Sequence, residues 1–139
     1  MAAVDKLSKE ARSLLMSRIR AKDTKPELVV RRMTHAMGFR YVLHDKRLPG
    51  KPDLVFPRLR CVILVQGCFW HGHKCGRGFK PKNNADFWAA KIAANRARDA
   101  RSIRRLRSLG WRVLTVWECA TRGDRLPVLL SRVQQFLGR

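Results

Sequence analysis

Long apolar runs and acidic side chains are what this sequence has least of. No stretch approaches the roughly 18 apolar residues of a membrane-spanning helix, and the first residues lack the apolar core of a signal peptide. We therefore expect a soluble, cytoplasmic protein that makes no membrane contact. Ten Asp and Glu stand against 31 Lys and Arg, a net charge of +21. This excess predicts a polyanionic partner.

The basic residues run through the whole chain and lie over apolar periodicity, which favours a folded nucleic-acid-binding protein over a basic tail on another protein. With 139 residues, 45% of them hydrophobic, the chain is expected to form a single domain over residues 1–139. Residues 1–22 are expected to form a basic, largely helical DNA-binding arm of that domain.

Changes of hydrophobic period along the chain predict an α/β protein. Thr24 and Glu27 form a capping box that predicts the start of a helix. A second, long and basic helix is expected to begin at Asn84 and end before Gly110, with the side chain of Leu109 facing the core. Further helices and strands are expected as follows: helices over 24–38 and 126–137, strands over 39–44, 53–56, 61–66 and 111–117. Their order predicts a mixed sheet of about four strands flanked by helices.

Residues 67–75, which read Gly-Cys-Phe-Trp-His-Gly-His-Lys-Cys, carry the densest chemistry. Thiolates and imidazoles are the ligands that Zn²⁺ prefers. The spacing predicts a structural zinc site on Cys68, His73, Cys75 and Cys119. Replacing Cys119 with His71 would also give four ligands, but it crowds them into eight residues of one loop. The alternative without a metal treats the cysteines as small buried residues and the histidines as incidental.

Carboxylates are few enough to weigh singly. Asp53 opens a short apolar strand, where a charge needs a partner or a metal, and its simpler reading is a turn cap. Glu27 is equally well explained as the capping-box residue, and Asp99 is read as a helix-surface residue. Pro-Asp before one strand, followed by a second apolar strand, is typical of PD-(D/E)xK nuclease cores. The second strand lacks the usual acid and lysine, for which Gln66 and His71 could substitute.

Four blocks together resemble the very-short-patch-repair (Vsr-type) DNA mismatch endonucleases. They are Leu48-Pro49-Gly50-Lys51-Pro52-Asp53, the stretch from Cys61-Val62-Ile63 to Gly67-Cys68-Phe69-Trp70-His71, Phe87-Trp88 with Lys91-Ile92 and Asn95, and Leu109-Gly110-Trp111-Arg112-Val113-Leu114 running to Val116-Trp117-Glu118-Cys119. The similarity extends from about Asp5 to Arg122, nearly the whole chain.

The resemblance implies a PD-(D/E)xK-like nuclease that nicks one strand beside a G·T mismatch by Mg²⁺-dependent hydrolysis and so starts short-patch repair. Asp53 and the main-chain carbonyl of Val65 would hold Mg²⁺, His71 would act as acid or base with Glu27 nearby, and zinc would occupy the predicted site. DNA contacts would come from Met16, Phe69, Trp70, Trp88, Lys91 and Asn95, the three aromatics forming a wedge. We expect a monomer in the bacterial nucleoid, with other repair proteins as candidate partners.

One departure from the family pattern concerns the residues before Gly67. The family usually has Thr-His there, whereas this chain has Val65 and Gln66. Valine still offers a carbonyl, but a carboxamide cannot exchange a proton as an imidazole does. Two rival functions are a non-catalytic, zinc-stapled nucleic-acid-binding module and a sequence-specific nuclease of matched duplex DNA.

Overall fold

The computed structural model describes residues 24–73, 75 and 85–138. Helices α1, α2 and α3 span Lys25–Ala36, Ala85–Ser108 and Leu126–Leu137, and strands β1 to β4 span Val42–Leu43, Leu54–Phe56, Cys61–Gln66 and Arg112–Trp117. The predicted arm over residues 1–22, Met16 within it and the predicted cap Asn84 lie outside the described residues. Within the described part of the chain, no helix is long and apolar enough to cross a bilayer.

The four strands form one mixed sheet in the order β1-β2-β3-β4, which confirms the predicted fold class. β1 pairs antiparallel with β2, and β2 pairs antiparallel with β3. β3 and β4 are parallel and in register from Cys61 opposite Arg112 to Gln66 opposite Trp117. Because a parallel connection needs a long crossover, helix α2 lies between these two strands in the chain.

Helices cover both faces of the sheet. Successive side chains of a strand point to opposite faces, so Phe56 and Ile63 pack on one side with residues of α1 and α3 such as Val30 and Val133. Val55 and Val62 point to the other side. There they pack against Leu106 of α2, whose side chain is fully buried. Residues buried on both faces explain why β3 reads as a continuous apolar run.

Most element boundaries agree with the sequence predictions to within one or two residues, but two expectations are wrong. The backbone N–H of Glu27 donates to the hydroxyl of Thr24 at 3.4 Å, as expected for the start of α1. The strand predicted over 39–44 is wrong in length, because only Val42 and Leu43 pair with β2. The inward position of Leu109 is also wrong. It lies just past the last residue of α2 and is 53% exposed.

Candidate active site and metal centre

One end of the sheet collects nearly all the chemically active side chains. β3 and β4 are parallel, so their last residues, Gln66 and Trp117, lie side by side. β2 runs antiparallel to β3, so its first residues lie at that same end. Asp53 precedes β2, and its carboxylate accepts a hydrogen bond from the backbone N–H of Val65 at 2.7 Å. We call this end of the sheet the functional end.

A carboxylate-imidazole cluster lies at the functional end. It consists of Glu27, His44 and Asp53, whose ligand atoms all lie within 4.8 Å of one another. Glu27 Oε2 is 2.9 Å from His44 Nε2, which in turn is 4.0 Å from Asp53 Oδ1. The side chain of Glu27 is only 2% exposed and also pairs with Arg31, one helical turn along α1. The first turn of α1 therefore directs Glu27 into the site rather than into solvent.

Burial and the neighbouring Glu27 carboxylate raise the pKa of Asp53 to about 7, against the opposing hydrogen bond from Val65. Two carboxylates that share a desolvated space cannot both ionise cheaply, so one of them retains a proton unless a cation replaces it. Carboxylate oxygens are the ligands of hard divalent cations. The cluster is thus poised to exchange a proton for a metal ion near neutral pH.

His71 lies in the turn that follows β3 and contacts α2. Its Nδ1 pairs with Oδ2 of Asp99, and both side chains are about one-fifth exposed, at 21% and 24%. A carboxylate on one ring nitrogen fixes the tautomer and orientation of an imidazole and leaves Nε2 for another partner. The reading of Asp99 as a plain helix-surface residue is therefore wrong. Asp99 stands on the same helical stripe as Asn95 and Trp88, and that spacing is the signal that could have identified it.

The predicted zinc ligands come together as one cluster. Cys68, His73, Cys75 and Cys119 place their ligand atoms within 4.8 Å of one another. His73 Nδ1 is 3.6 Å from the sulfur of Cys68 and 3.6 Å from that of Cys119. Ordinary Zn–S and Zn–N bonds at tetrahedral angles give an S···N separation of roughly 3.6 Å. The spacing of the free side chains thus fits a tetrahedral metal ion.

The thiols of this cluster are crowded as well as buried. Burial first, and then the nearby thiols of Cys75 and Cys119, raise the pKa of Cys68 to about 12. Such thiols do not ionise together unless a cation stabilises the thiolates. Cys61, in contrast, lies in the core of the sheet away from the cluster, as the sequence predicts.

Residues at the end of β4 support the cysteine cluster. The imidazole of His73 stacks on the indole of Trp117, with ring centroids 4.1 Å apart and planes at 15°. The carboxylate of Glu118 accepts a hydrogen bond from the backbone N–H of Cys68 at 3.3 Å. Trp117 is partly exposed, and its indole holds a candidate metal ligand in place.

An aromatic cluster lies beside this turn. Phe69 and Trp70 follow β3, and both make edge-on contacts with Trp88 of α2, with centroids 5.5 and 5.8 Å apart. Phe87, which was not among the residues expected to contact DNA, makes an edge-on contact with Trp88 and is 59% exposed. The side-chain amide of Asn95 donates to the carbonyl of Trp70 at 2.9 Å. Four large aromatic rings thus remain accessible beside the two clusters.

Comparison with known proteins first defines the class. The fold matches that of the catalytic domain of the homing endonuclease I-Bth0305I, with a TM-score of 0.54 and 20% identity over 82% of this chain and 94% of that one. At that identity the likeness establishes the fold alone, which is that of an endonuclease catalytic domain.

Sequence comparison then gives the family. The sequence profile described as "DNA mismatch endonuclease Vsr" matches residues 4–77. The chain is 44% identical to the DNA mismatch endonuclease Vsr of Escherichia coli over 93% of this chain and 85% of that protein. It is 53% identical to the type II nicking enzyme V.XorIIP of Xanthomonas oryzae pv. oryzae, over 96% of each chain. The chain therefore belongs to the Vsr family of DNA mismatch endonucleases, as the four sequence blocks indicated.

The raised pKa of Asp53 predicts a pH-dependent stability. Its folded pKa is about 7 and its ordinary value 3.8, so between them the folded chain binds more protons than the unfolded one. The stability that Asp53 contributes is therefore lost as the pH rises through about 7. Asp53→Asn has no such loss, so its melting temperature should rise relative to the parent's between about pH 5.5 and pH 8, without added divalent ions.

The control is Asp86→Asn, which alters an exposed carboxylate on α2. Its melting temperature should follow the parent's at every pH. A constant difference between Asp53→Asn and the parent across this range would contradict the shared-proton account of the cluster.

Proposed function

We propose that this protein nicks one strand of duplex DNA beside a G·T mismatch by Mg²⁺-dependent phosphodiester hydrolysis, and so initiates short-patch repair. The observation that carries the proposal is the position of Asp53. Its half-buried carboxylate faces Glu27 and accepts a hydrogen bond from the backbone of β3. The His71–Asp99 pair lies at the same end of the sheet, just after β3. Membership of the Vsr family and the nicking relatives support the same reaction.

The donor set at the functional end fits Mg²⁺. Asp53 would hold the ion together with the main-chain carbonyl of Val65, and the carboxylate of Glu27 stands within reach of the same space. When bound, Mg²⁺ would neutralise the negative charge that develops on the phosphoryl oxygens. The N–H of Val65 orients the carboxylate of Asp53, so the end of β3 would set the position of the scissile phosphate.

His71 would handle the proton. With Nδ1 committed to Asp99, Nε2 is the atom that can accept a proton from the water attacking phosphorus in line with the leaving oxygen. Water supplies the new P–O bond, the bond to the departing strand end breaks, and the proton passes to the imidazole. Gln66 is buried at the end of β3. Its carboxamide can orient a water by hydrogen bonding but cannot exchange the proton, so His71 carries that task.

The basic charge and the aromatic cluster would engage DNA. Thirty-one Lys and Arg supply affinity through counterion release. Phe69, Trp70 and Trp88 would form a wedge that enters the base stack, because unstacking costs less at a mismatched pair. Lys91 is exposed and would approach the mismatch directly. Asn95 donates a hydrogen bond to the carbonyl of Trp70 and would position that aromatic residue at the mismatch.

Zinc is the metal that best fits the four-residue cluster. Three thiols and one imidazole would fill all four coordination positions of the ion. Such a closed, tetrahedral ligand set is typical of structural zinc sites. The ion would tie the turn after β3 to the end of β4 and so fix the positions of the aromatic wedge and of His71.

We further propose that residues 1–139 form a single domain and that residues 1–22 form its DNA-binding arm, with Met16 reaching the minor groove. The protein would act as a cytoplasmic monomer alongside other repair proteins.

A nicking assay tests the function directly. Duplexes that differ only in one G·T or G·C pair are incubated with the protein, with and without Mg²⁺. We expect the parent to nick one strand of the G·T duplex, and only when Mg²⁺ is present. Asp53→Asn should not nick this duplex but should still bind it. Equal cutting of both duplexes would favour a nuclease of matched DNA. Tight binding without cutting would favour a non-catalytic module.

The His71–Asp99 pair gives a second prediction. His71→Gln should slow nicking by roughly 10²–10⁴-fold, the usual contribution of a positioned acid or base. Asp99→Asn should slow it less, because the imidazole remains but loses its orienting carboxylate. Both variants should keep one zinc per chain and bind the G·T duplex normally. The matched control is Asp86→Asn, another aspartate of α2, which should nick at the parental rate. Zinc loss in His71→Gln would show that the two histidines are assigned the wrong way round.

The zinc site gives a third prediction, which uses two buried cysteines as a matched pair. Elemental analysis of the purified parent should find one zinc per chain. Cys119→Ala should lose zinc and misfold, because structural zinc contributes roughly 10 kcal/mol or more of apparent binding free energy. Cys61→Ala should keep its zinc and lose only core-packing stability. Full zinc retention in Cys119→Ala would overturn the proposed ligand set.

A further inference from the structure

His44 has no role in the mechanism above, yet its position is unusual. It immediately follows β1, and its φ of 48° lies in the left-handed region that favours glycine. Its backbone N–H donates to the carbonyl of Asp53 at 3.2 Å. Non-glycine residues in this conformation cluster at active sites, although Lys51 and Arg60 share it in this chain. What sets His44 apart is that its side chain lies against Glu27 and near Asp53.

The distances around His44 match two kinds of separation in one coordination sphere. In an octahedral site with metal–ligand bonds of 2.0–2.1 Å, neighbouring ligands are about 3 Å apart and opposite ligands about 4.2 Å apart. His44 Nε2 is 2.9 Å from Glu27 Oε2 and 4.0 Å from Asp53 Oδ1. The longer distance is too great for a hydrogen bond. It is close to the separation of two opposite ligands, so it leaves room for an ion between the imidazole and Asp53.

Neutralising Glu27 does not by itself account for His44. Glu27 is already paired with Arg31, which stands one turn away on the same helix. The imidazole therefore adds a nitrogen donor beside a carboxylate, that of Glu27, which already has a cationic partner. Mg²⁺ prefers oxygen donors alone, whereas Mn²⁺ takes the same oxygen ligands and, as a first-row transition-metal ion, also accepts imidazole nitrogen.

We propose that His44 Nε2 is a ligand of the same divalent cation that Asp53 holds, so that the site prefers Mn²⁺ to Mg²⁺. The inference rests on the proposed metal site at Asp53 and adds to it a third side chain, which changes the metal preference. An oxygen-only site would treat the two ions more alike.

Mn²⁺ is a direct probe because it is paramagnetic. The zinc-containing full-length protein, with its zinc content checked, is titrated with Mn²⁺ in the absence of DNA, and free Mn²⁺ is followed by electron paramagnetic resonance. Electron spin-echo envelope modulation of the bound ion should show coupling to an imidazole nitrogen. Competition with Mg²⁺ should give tighter binding of Mn²⁺.

Three variants separate the alternatives. His44→Gln should lose the nitrogen coupling, and His44→Ala should bind Mn²⁺ at least about tenfold more weakly, the lower end of what loss of even an outer partner costs. His35→Gln, which alters an exposed histidine of α1, should change neither property. Thermal melts check that each variant remains folded.

The outcomes distinguish this inference from the function it rests on. Two outcomes would overturn the role of His44 and leave the Asp53 site standing. In the first, Mn²⁺ binding depends on Asp53 but shows no nitrogen coupling. In the second, the nitrogen coupling persists in His44→Gln. Mn²⁺ binding that Asp53→Asn does not weaken overturns the proposed metal site itself. The inference is supported if the nitrogen coupling disappears in His44→Gln and persists in His35→Gln.

Discussion

Parallel pairing of β3 with β4 is the constraint on which the rest of the structure depends. Six residue pairs in register bring the ends of two strands, distant in sequence, to one end of the sheet. Cys68 and Cys119 each lie two residues beyond those strand ends, so the pairing alone brings the two thiols together. Antiparallel β2 then adds Asp53 at that same end. A one-residue slip of register would move all three side chains and exchange the two buried faces of β3.

The functional end carries an electrostatic cost that a bound cation would remove. Glu27 and Asp53 lie against each other in a poorly solvated space, and the pKa of Asp53 rises as a result. Arg31 and the N–H of Val65 offset only part of that cost. Removing the site acid would stabilise the cation-free protein above neutral pH, at the expense of metal binding. This is the expected relation between stability and function where like charges are held close together.

Much of the fold was predictable because it depends on local patterns. β3 was predicted over the residues observed, since a run buried on both faces is apolar throughout, and Thr24 correctly marked the start of α1. The spacing of cysteines and histidines likewise predicted which side chains would meet. His44 and Asp99 were missed because their partners, Glu27 and His71, lie on other elements. For His44 no local pattern marks the residue, because its role comes only from tertiary contacts.

The turn after β3 shows why two histidines so close in sequence can have separate roles. His71 turns towards Asp99 of α2, while His73 turns towards Cys68 and Cys119. Gly72 between them has a φ of +61°, and an added Cβ would lie 2.7 Å from Ile92 of α2. The backbone thus reverses against the helix at the only residue type that fits. Because the proposed zinc fixes one end of this turn and α2 the other, the ion would set the position of the His71 imidazole without touching it. Zinc would therefore support catalysis through geometry, while His71 would transfer the proton and Asp99 would orient its imidazole.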